Sequence, residues 1–299
     1  MTFTFQPQGP FDLLFQNQYF NGWPTLERDP RTIVMAFPVE HWQNSAAVTL
    51  TQLPDGRLQG TVYGPKAGDQ ARQQALAALS LDEDGTGWPD VGKRDAFIGE
   101  LQKTYHYIRP TLFHSPYEAA AAFVIGHRIS IVQTRKIRAH MAQELGTTLE
   151  VEGQQWHAFP TPQKLLKLQT FQSLNTTKIE RLHAVAQAAL DGWLTRDHLR
   201  SLDEQAALDK LRTLPGIGAF FSQGILQRGV GLKDGFSHDD FTYHAIAQSH
   251  HEGDQLSQAA LEKIVEKWRP YRMWATVLTH VWARENHIAP EQTWRTAKK

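Results

Sequence analysis

The chain has 299 residues, 41% of them hydrophobic, enough to bury a sizeable core and consistent with two domains. It holds no cysteine, which excludes disulfides, thiolate nucleophiles and Cys-based zinc or iron–sulfur sites. Formal net charge is zero, but residues 1–100 carry 7 Lys+Arg against 12 Asp+Glu, and residues 101–299 carry 24 against 19. The second part therefore has the means for a basic face towards phosphates, although a chance imbalance reads the same way. No apolar run approaches the roughly 18 residues of a membrane span, and Met1–Pro7 shows no basic stretch leading into an apolar one. A cytoplasmic protein without membrane contact is expected.

Residues 1–85 are expected to form a small β-rich domain. Thr32–Phe37, Ala46–Thr51 and Leu58–Tyr63 are β-prone runs, with Pro54-Asp55-Gly56 as a hairpin turn between the last two. Gln70–Ser80 reads as a helix, and the acidic run Asp82–Asp84 with Gly85 and Gly87 marks a boundary. From Ser115 the chain reads as almost wholly helical. Ser115-Pro116 and Thr161-Pro162 are helix starts, and a long run from Ser130 stops at Gly146. Lys178–Leu190 sets Ile179, Leu182, Val185, Ala186 and Ala189 on one face before Gly192. Glu204–Leu211, Ala219–Gly229, Leu256–Trp268 and Tyr271–Arg284 complete the helices, with Pro270 between the last two.

Leu214-Pro215-Gly216-Ile217-Gly218 lies between two helical runs. Its glycines permit a tight turn and leave backbone amides bare, while Leu214 and Ile217 pack the helices together. Such amides make a grip for phosphate that positions DNA without reading it. A plain helix–turn–helix corner fits the pentapeptide as well. Asp240 follows Gly218 by 22 residues, in Ser237-His238-Asp239-Asp240. On its own Asp240 reads as a helix cap, in a Ser237-x-x-Asp240 capping box. The histidines, including His250-His251, His183, His244 and His287, show no spacing with paired carboxylates that suggests zinc.

Together these motifs resemble the helix-hairpin-helix DNA glycosylase superfamily, and within it the bacterial 3-methyladenine DNA glycosylase II group. The likeness runs through Arg228-Gly229, Lys233-Asp234 and Asp239-Asp240. It extends to Phe159–Gln163, Lys178–Gly192, Trp268–Arg272 and, more weakly, Phe123–Ser130, about two-thirds of the chain. It implies an α+β fold, with a small antiparallel β-sheet domain (1–85) before a mostly α-helical, two-lobed glycosylase domain (86–299) whose cleft lies between the lobes.

The resemblance assigns the catalytic carboxylate to Asp240, with Asp239 as the cap or a supporting group. A carboxylate there stabilises the oxocarbenium-like charge of base removal and orients or deprotonates the attacking water. Lyase members carry a lysine nucleophile where this chain has Phe220, so a monofunctional enzyme leaving an abasic site is implied. The pocket positions of the similar group fall on Phe220, on Gly224 in place of a tyrosine, and on His280 or Trp282. Packing within the core is an equal reading for Phe220, Trp274 and Trp282. Arg128 stands where the group inserts a residue into the DNA gap, or is a surface arginine on a corner. Leu214, Gly216, Ile217 and Gly218 would hold DNA. The Arg212, Leu214 and Ile217 carbonyls would hold a monovalent cation bridging to phosphate, with no other cofactor required. The implied partner is double-stranded DNA with a damaged base, met by a nucleoid-associated monomer. Alkylated purines such as 3-methyladenine and 7-methylguanine are the implied substrates. An oxidised or deaminated purine, or an inactive DNA-binding protein, remain the alternatives.

Overall fold

A computed structural model describes residues 1–20, 22–64, 68–236, 239–250 and 256–288. Strands β1 (Thr2–Phe5), β2 (Thr25–Leu26), β3 (Asp29–Pro38), β4 (Ser45–Gln52) and β5 (Leu58–Tyr63) form one antiparallel sheet in the order β1-β5-β4-β3-β2. One face packs Ile33, Met35, Phe37, Val48 and Leu50 under helices α1 (Leu13–Phe20) and α2 (Gly68–Ala78), with Leu13, Ala71 and Ala75 in the same core.

The other face of the sheet is covered too, which corrects one expectation. The chain from Ser115 onward is not wholly helical: strands β6 (Thr147–Val151) and β7 (Gln154–Ala158) form a hairpin inside the helical part. Its turn uses Glu152 at φ 52° and Gly153 at φ 82°, two consecutive positive φ values that match the twist of paired strands. Leu149, Val151 and Ala158 lie on Val34 and Ala47 of the sheet. Burial on both faces explains why Thr32–Val39 lacks a polar alternation.

The remaining helices are α3 (Trp88–Arg94), α4 (Ala96–Thr104), α5 (Pro116–Gly126), α6 (Ile131–Leu145), α7 (Pro162–Leu165), α8 (Thr176–Leu190), α9 (Arg196–Ser201), α10 (Glu204–Arg212), α11 (Ala219–Ile225), α12 (Asp240–Ser249), α13 (Gln258–Glu266) and α14 (Arg272–Glu285). They divide between two apolar cores. Helices α5 to α11 supply Tyr117, Ile125, Met141, Leu182, Val185, Leu211 and Ile225 to the first. Helices α3, α4 and α12 to α14 supply Trp88, Ile98, Ile246, Leu261, Trp274 and Leu278 to the second, with Trp268 from the turn between the last two. The chain thus leaves the second lobe after α4 and returns to it at α12. The helix starts at Ser115 and Ser130 fall where expected, their hydroxyls accepting from the Glu118 and Gln133 amides, while α8 starts two residues before the expected Lys178, with Asn175 accepting from the Lys178 amide.

Both crossings between lobes are anchored by arginine. At the first, the buried Arg109 guanidinium donates to the carbonyls of Gln8 (2.5 Å), Pro10 (3.2 Å) and Ser80 (3.3 Å). It also lies 5.0 Å over the Trp274 ring. At the second, Arg272 Nε donates to Asp234 Oδ1 at 3.1 Å and its Nη2 to the Asp234 carbonyl at 2.6 Å, while Arg269 pairs with Asp234 Oδ2. The Lys233 carbonyl accepts from the Met273 amide at 3.2 Å. Charged hydrogen bonds of this kind contribute about 1.5–3 kcal/mol each. Asp234→Ala is therefore expected to lower unfolding free energy by roughly 2–4 kcal/mol in urea titrations, given that two arginines lose one carboxylate. An unchanged midpoint would contradict the anchoring role.

Candidate active site

The hairpin is built as a turn between α10 and α11. Gly216 sits at φ 82°, where a side chain would be strained, and a Cβ there would meet Arg181 Nε at 2.5 Å. Arg181, on α8, is thus a basic group against the hairpin that sequence spacing did not single out. Leu214 and Ile217 are buried in the first lobe's core. Nothing lies within 4 Å of a Cβ built on Gly218, the cap of α11, so this side of the turn is open. Among the described residues the amides of Gly216, Gly218 and Ala219 donate to no acceptor. The open amides and the open face together form a surface that fits an oxyanion. The Leu214 carbonyl accepts from the Ile217 amide at 3.0 Å, which leaves it one lone pair, and those of Arg212 and Ile217 are free of backbone donors. Carbonyl oxygens of this kind suit a hard, weakly held cation. No group of three or more His, Cys, Asp or Glu side chains that fits a metal occurs among the described residues.

Beyond α11 the helix widens into a π turn, Leu226–Val230, and Gly231 at φ 74° ends it. The loop that follows is held at both ends. Gln223 Nε2 of α11 donates to the Phe236 carbonyl at 3.0 Å, and Asp234 is bound to α14 as described above. It delivers the chain to the start of α12. There Asp239 is the cap, its carboxylate accepting from the Thr242 amide and hydroxyl, both at 2.9 Å. Asp240 occupies the first turn and is exposed. Ser237, the other end of the expected capping box, lies outside the described residues, as does His251.

The α12 end is backed by α14. His280 Nε2 lies 2.9 Å from Thr242 Oγ1, and the Thr242 proton is already spent on Asp239, so His280 is the donor. The His280 ring packs on Phe241 with centroids 4.4 Å apart. Burial, then the charges of Arg284 and Arg228, push the His280 pKa down to about 4, against the opposing pull of Asp239. His280 is neutral near pH 7. Trp282, two residues on, faces the other way and packs edge-on against Phe97 of α4 at 4.9 Å. The structure brings His280, and not Trp282, to the carboxylate pair. Phe241 was not singled out by the sequence, although its place beside Asp240 was the available signal. Trp274 is buried in the second lobe's core.

A second group of rings stands on α11 and α5. Phe220 is 69% exposed and packs on Phe221 at 5.9 Å. Phe221 in turn meets Phe123 at 5.2 Å and His127 at 5.7 Å. Phe123 fills the space over Gly224, since a Cβ there would meet its ring at 2.3 Å. The missing side chain at Gly224 is thus replaced by a ring from the opposite helix. Arg128 is exposed on the corner between α5 and α6 at φ 61°, a left-handed conformation uncommon for a side-chain-bearing residue. Ile131 and Val132 beside it are also exposed, at 67% and 64%.

No protein-family model matches the chain. Among curated proteins it is 29% identical over 173 residues to DNA-3-methyladenine glycosylase 2 of Escherichia coli, a match covering 56% of this chain and 57% of that relative's length. It is 20% identical over 203 residues to the DNA-3-methyladenine glycosylase of Bacillus subtilis, covering 66% of this chain and 67% of the relative. Among solved structures, the 3-methyladenine DNA-glycosylase of Archaeoglobus fulgidus superposes with a TM-score of 0.74 at 18% identity, over 96% of this chain and all of that one. The chain is thus similar in sequence to 3-methyladenine DNA glycosylases over roughly half of its length, and it shares the fold of one along nearly all of it. The glycosylase fold itself is shared more widely. An 8-oxoguanine glycosylase/lyase of Clostridium acetobutylicum superposes with a TM-score of 0.67 at 16% identity, over 96% of this chain and 98% of its own.

The neutral, half-buried His280 gives the protein an acid-side weakness. An unfolded histidine takes a proton near its ordinary value of about 6.5, whereas the folded one resists until about 4. The stability it carries is complete above about pH 6.5 and is lost as pH falls towards 4. His280→Gln is expected to flatten the loss of stability between about pH 6.5 and about pH 4.5 in urea titrations. The same slope in variant and parent would contradict this placement of the ring.

Proposed function

We propose that the protein is a monofunctional DNA glycosylase that extrudes a damaged purine from duplex DNA and hydrolyses its N-glycosidic bond, with Asp240 as the catalytic carboxylate. The observation that carries this is the division of labour between the two aspartates. Asp239 meets the capping demand of α12, which leaves the Asp240 carboxylate exposed. A cap is the ordinary reason for an aspartate at this place, and here that reason is used up one residue earlier.

The chemistry follows from position. As the C1′–N bond of the nucleotide lengthens, positive charge grows on the sugar, and the Asp240 carboxylate stabilises it. Water attacks C1′ and passes its proton to the Asp240 carboxylate, and the base leaves with the bond's electron pair. No lysine stands at the start of α11, where Phe220 is found, so the sugar is left as an abasic site with the strand intact. The open hairpin amides hold backbone phosphate, and a monovalent cation on the Arg212, Leu214 and Ile217 carbonyls would add positive charge there. Arg128 fills the gap left by the extruded base, its strained backbone holding it clear of the helices. Phe220 and Phe241 are the rings placed to stack on a purine. The first substrate class is alkylated purines such as 3-methyladenine and 7-methylguanine, in line with the relatives' names.

Single-turnover release of base from duplex DNA tests the reading, with 3-methyladenine, 7-methylguanine, hypoxanthine and 8-oxoguanine as lesions. Asp240→Asn is expected to slow release by roughly 100-fold or more while binding to abasic-analogue DNA stays within a few-fold. Equal rates for parent and variant would overturn it.

A further inference from the structure

Arg228 lies within electrostatic reach of two other guanidinium groups, Arg135 and Arg284, and among the described residues none of the three has an acid partner. Arg228 rises from the π turn, Arg135 from α6 and Arg284 from the last turn of α14. Arg228 Nε is buried and has no hydrogen-bond partner. Among the described residues none of the three side chains donates a hydrogen bond or joins an ion pair. Arg135 and Arg284 are exposed, and Arg228 stands half-buried between them. Arg284 Cζ is 5.9 Å from the centre of the Phe241 ring, which itself packs on His280. The cluster therefore borders the start of α12, where Asp240 lies.

Other buried or half-buried arginines of this protein have hydrogen-bond partners, although Arg109 and Arg138 each leave Nε unpaired. Arg196 donates to the carbonyls of Gly229 and Phe113, Arg138 to Glu118, and Arg109 to three carbonyls. The three-arginine cluster is different: burial and the charges of Arg284 and Arg135 push the Arg228 pKa down to about 10. Like charges gathered in this way cost stability and gain nothing inside the folded chain. An arriving oxyanion would relieve that cost, and guanidinium forks bind phosphate oxygens in pairs.

We propose that Arg135, Arg228 and Arg284 form one site for a phosphodiester of the lesion-bearing strand, next to the extruded nucleotide, so that a single phosphate joins the two lobes. The inference rests on the glycosylase reading above. Two of the three groups stand at the surface, which suits the sugar–phosphate backbone better than the edge of an extruded base. Arg135 and Arg228 belong to the first lobe and Arg284 to the second, so the phosphate grips both.

The test uses the full chain and duplex DNA with a stable abasic analogue, in which single phosphates around the lesion are replaced by neutral methylphosphonates. One replacement is expected to weaken binding by the parent roughly tenfold or more, the usual scale for a charged hydrogen-bonded contact. The doubly substituted Arg135→Gln, Arg284→Gln protein is expected to lose the same affinity on natural DNA and to be indifferent to that one linkage. Both arginines are exposed, so folding is not at stake, and urea titration checks it. Unchanged sensitivity at every linkage in the double variant would overturn the shared site. So would a variant that loses base release alone, which would place the guanidiniums on the base. Failure of the parent to bind damaged or undamaged duplex would overturn the glycosylase reading as well.

Discussion

Asp234 accepts from Arg269 and Arg272, and through that carboxylate the loop leaving the hairpin lobe is fixed to the helices of the other lobe. The loop's far end is fixed by Gln223 of α11 to the Phe236 carbonyl. The Phe236 anchor stands four positions before Asp240 in the sequence. On the proposed reading the hairpin that would hold DNA and the carboxylate that would react stand on separate apolar cores, and they would otherwise drift with any motion of the lobes. Catalysis depends on such positioning to within fractions of an ångström.

Much of this was legible in the sequence because the signals were local. Caps at Ser115, Ser130 and Thr161, the stop after Leu190 and the Pro-Gly-x-Gly turn each rest on a few adjacent residues, and the helices follow them closely. The β6–β7 hairpin was missed because its reason is distant. Leu149 and Val151 alternate as a strand should, but their short run gains stability only against Val34 and Ala47 of the N-terminal sheet. That a helix starts at the Asp239-Asp240 pair, with Asp239 as its cap, was legible from the sequence. The choice between His280 and Trp282 was not, because two residues on a helix turn a side chain by more than half a circle. Only the packing of α14 against α12 on one side and α4 on the other shows that His280 stands beside α12 and Trp282 beside α4. Phe123 over Gly224 could not be read at all, since one helix lends its ring to a gap in another.

The features that cost stability gather in one region. Phe220 and Ile131 expose apolar surface, Arg128 holds a strained backbone, and three arginines stand unpaired. The cores behind them are ordinary, with aromatic and aliphatic side chains fully buried and their arginines paired with carbonyls or acids. Local cost set against a well-packed support is the pattern of a surface shaped for a ligand. A polyanion with stacked rings, opened by one extruded base, meets all three demands at once: charge for the arginines, a gap for Arg128 and a flat partner for the phenyl rings.

The most direct measurement counts products. Duplex DNA carrying alkylated purines is incubated with the protein, free base is weighed by mass spectrometry, and strand breaks are scored before and after hot alkali with borohydride present in a parallel sample. Water-based excision at Asp240 predicts free base matched one for one by alkali-labile sites, intact strands before alkali and no protein–DNA adduct. Release of no base from any lesion, or an adduct trapped by borohydride, would contradict it.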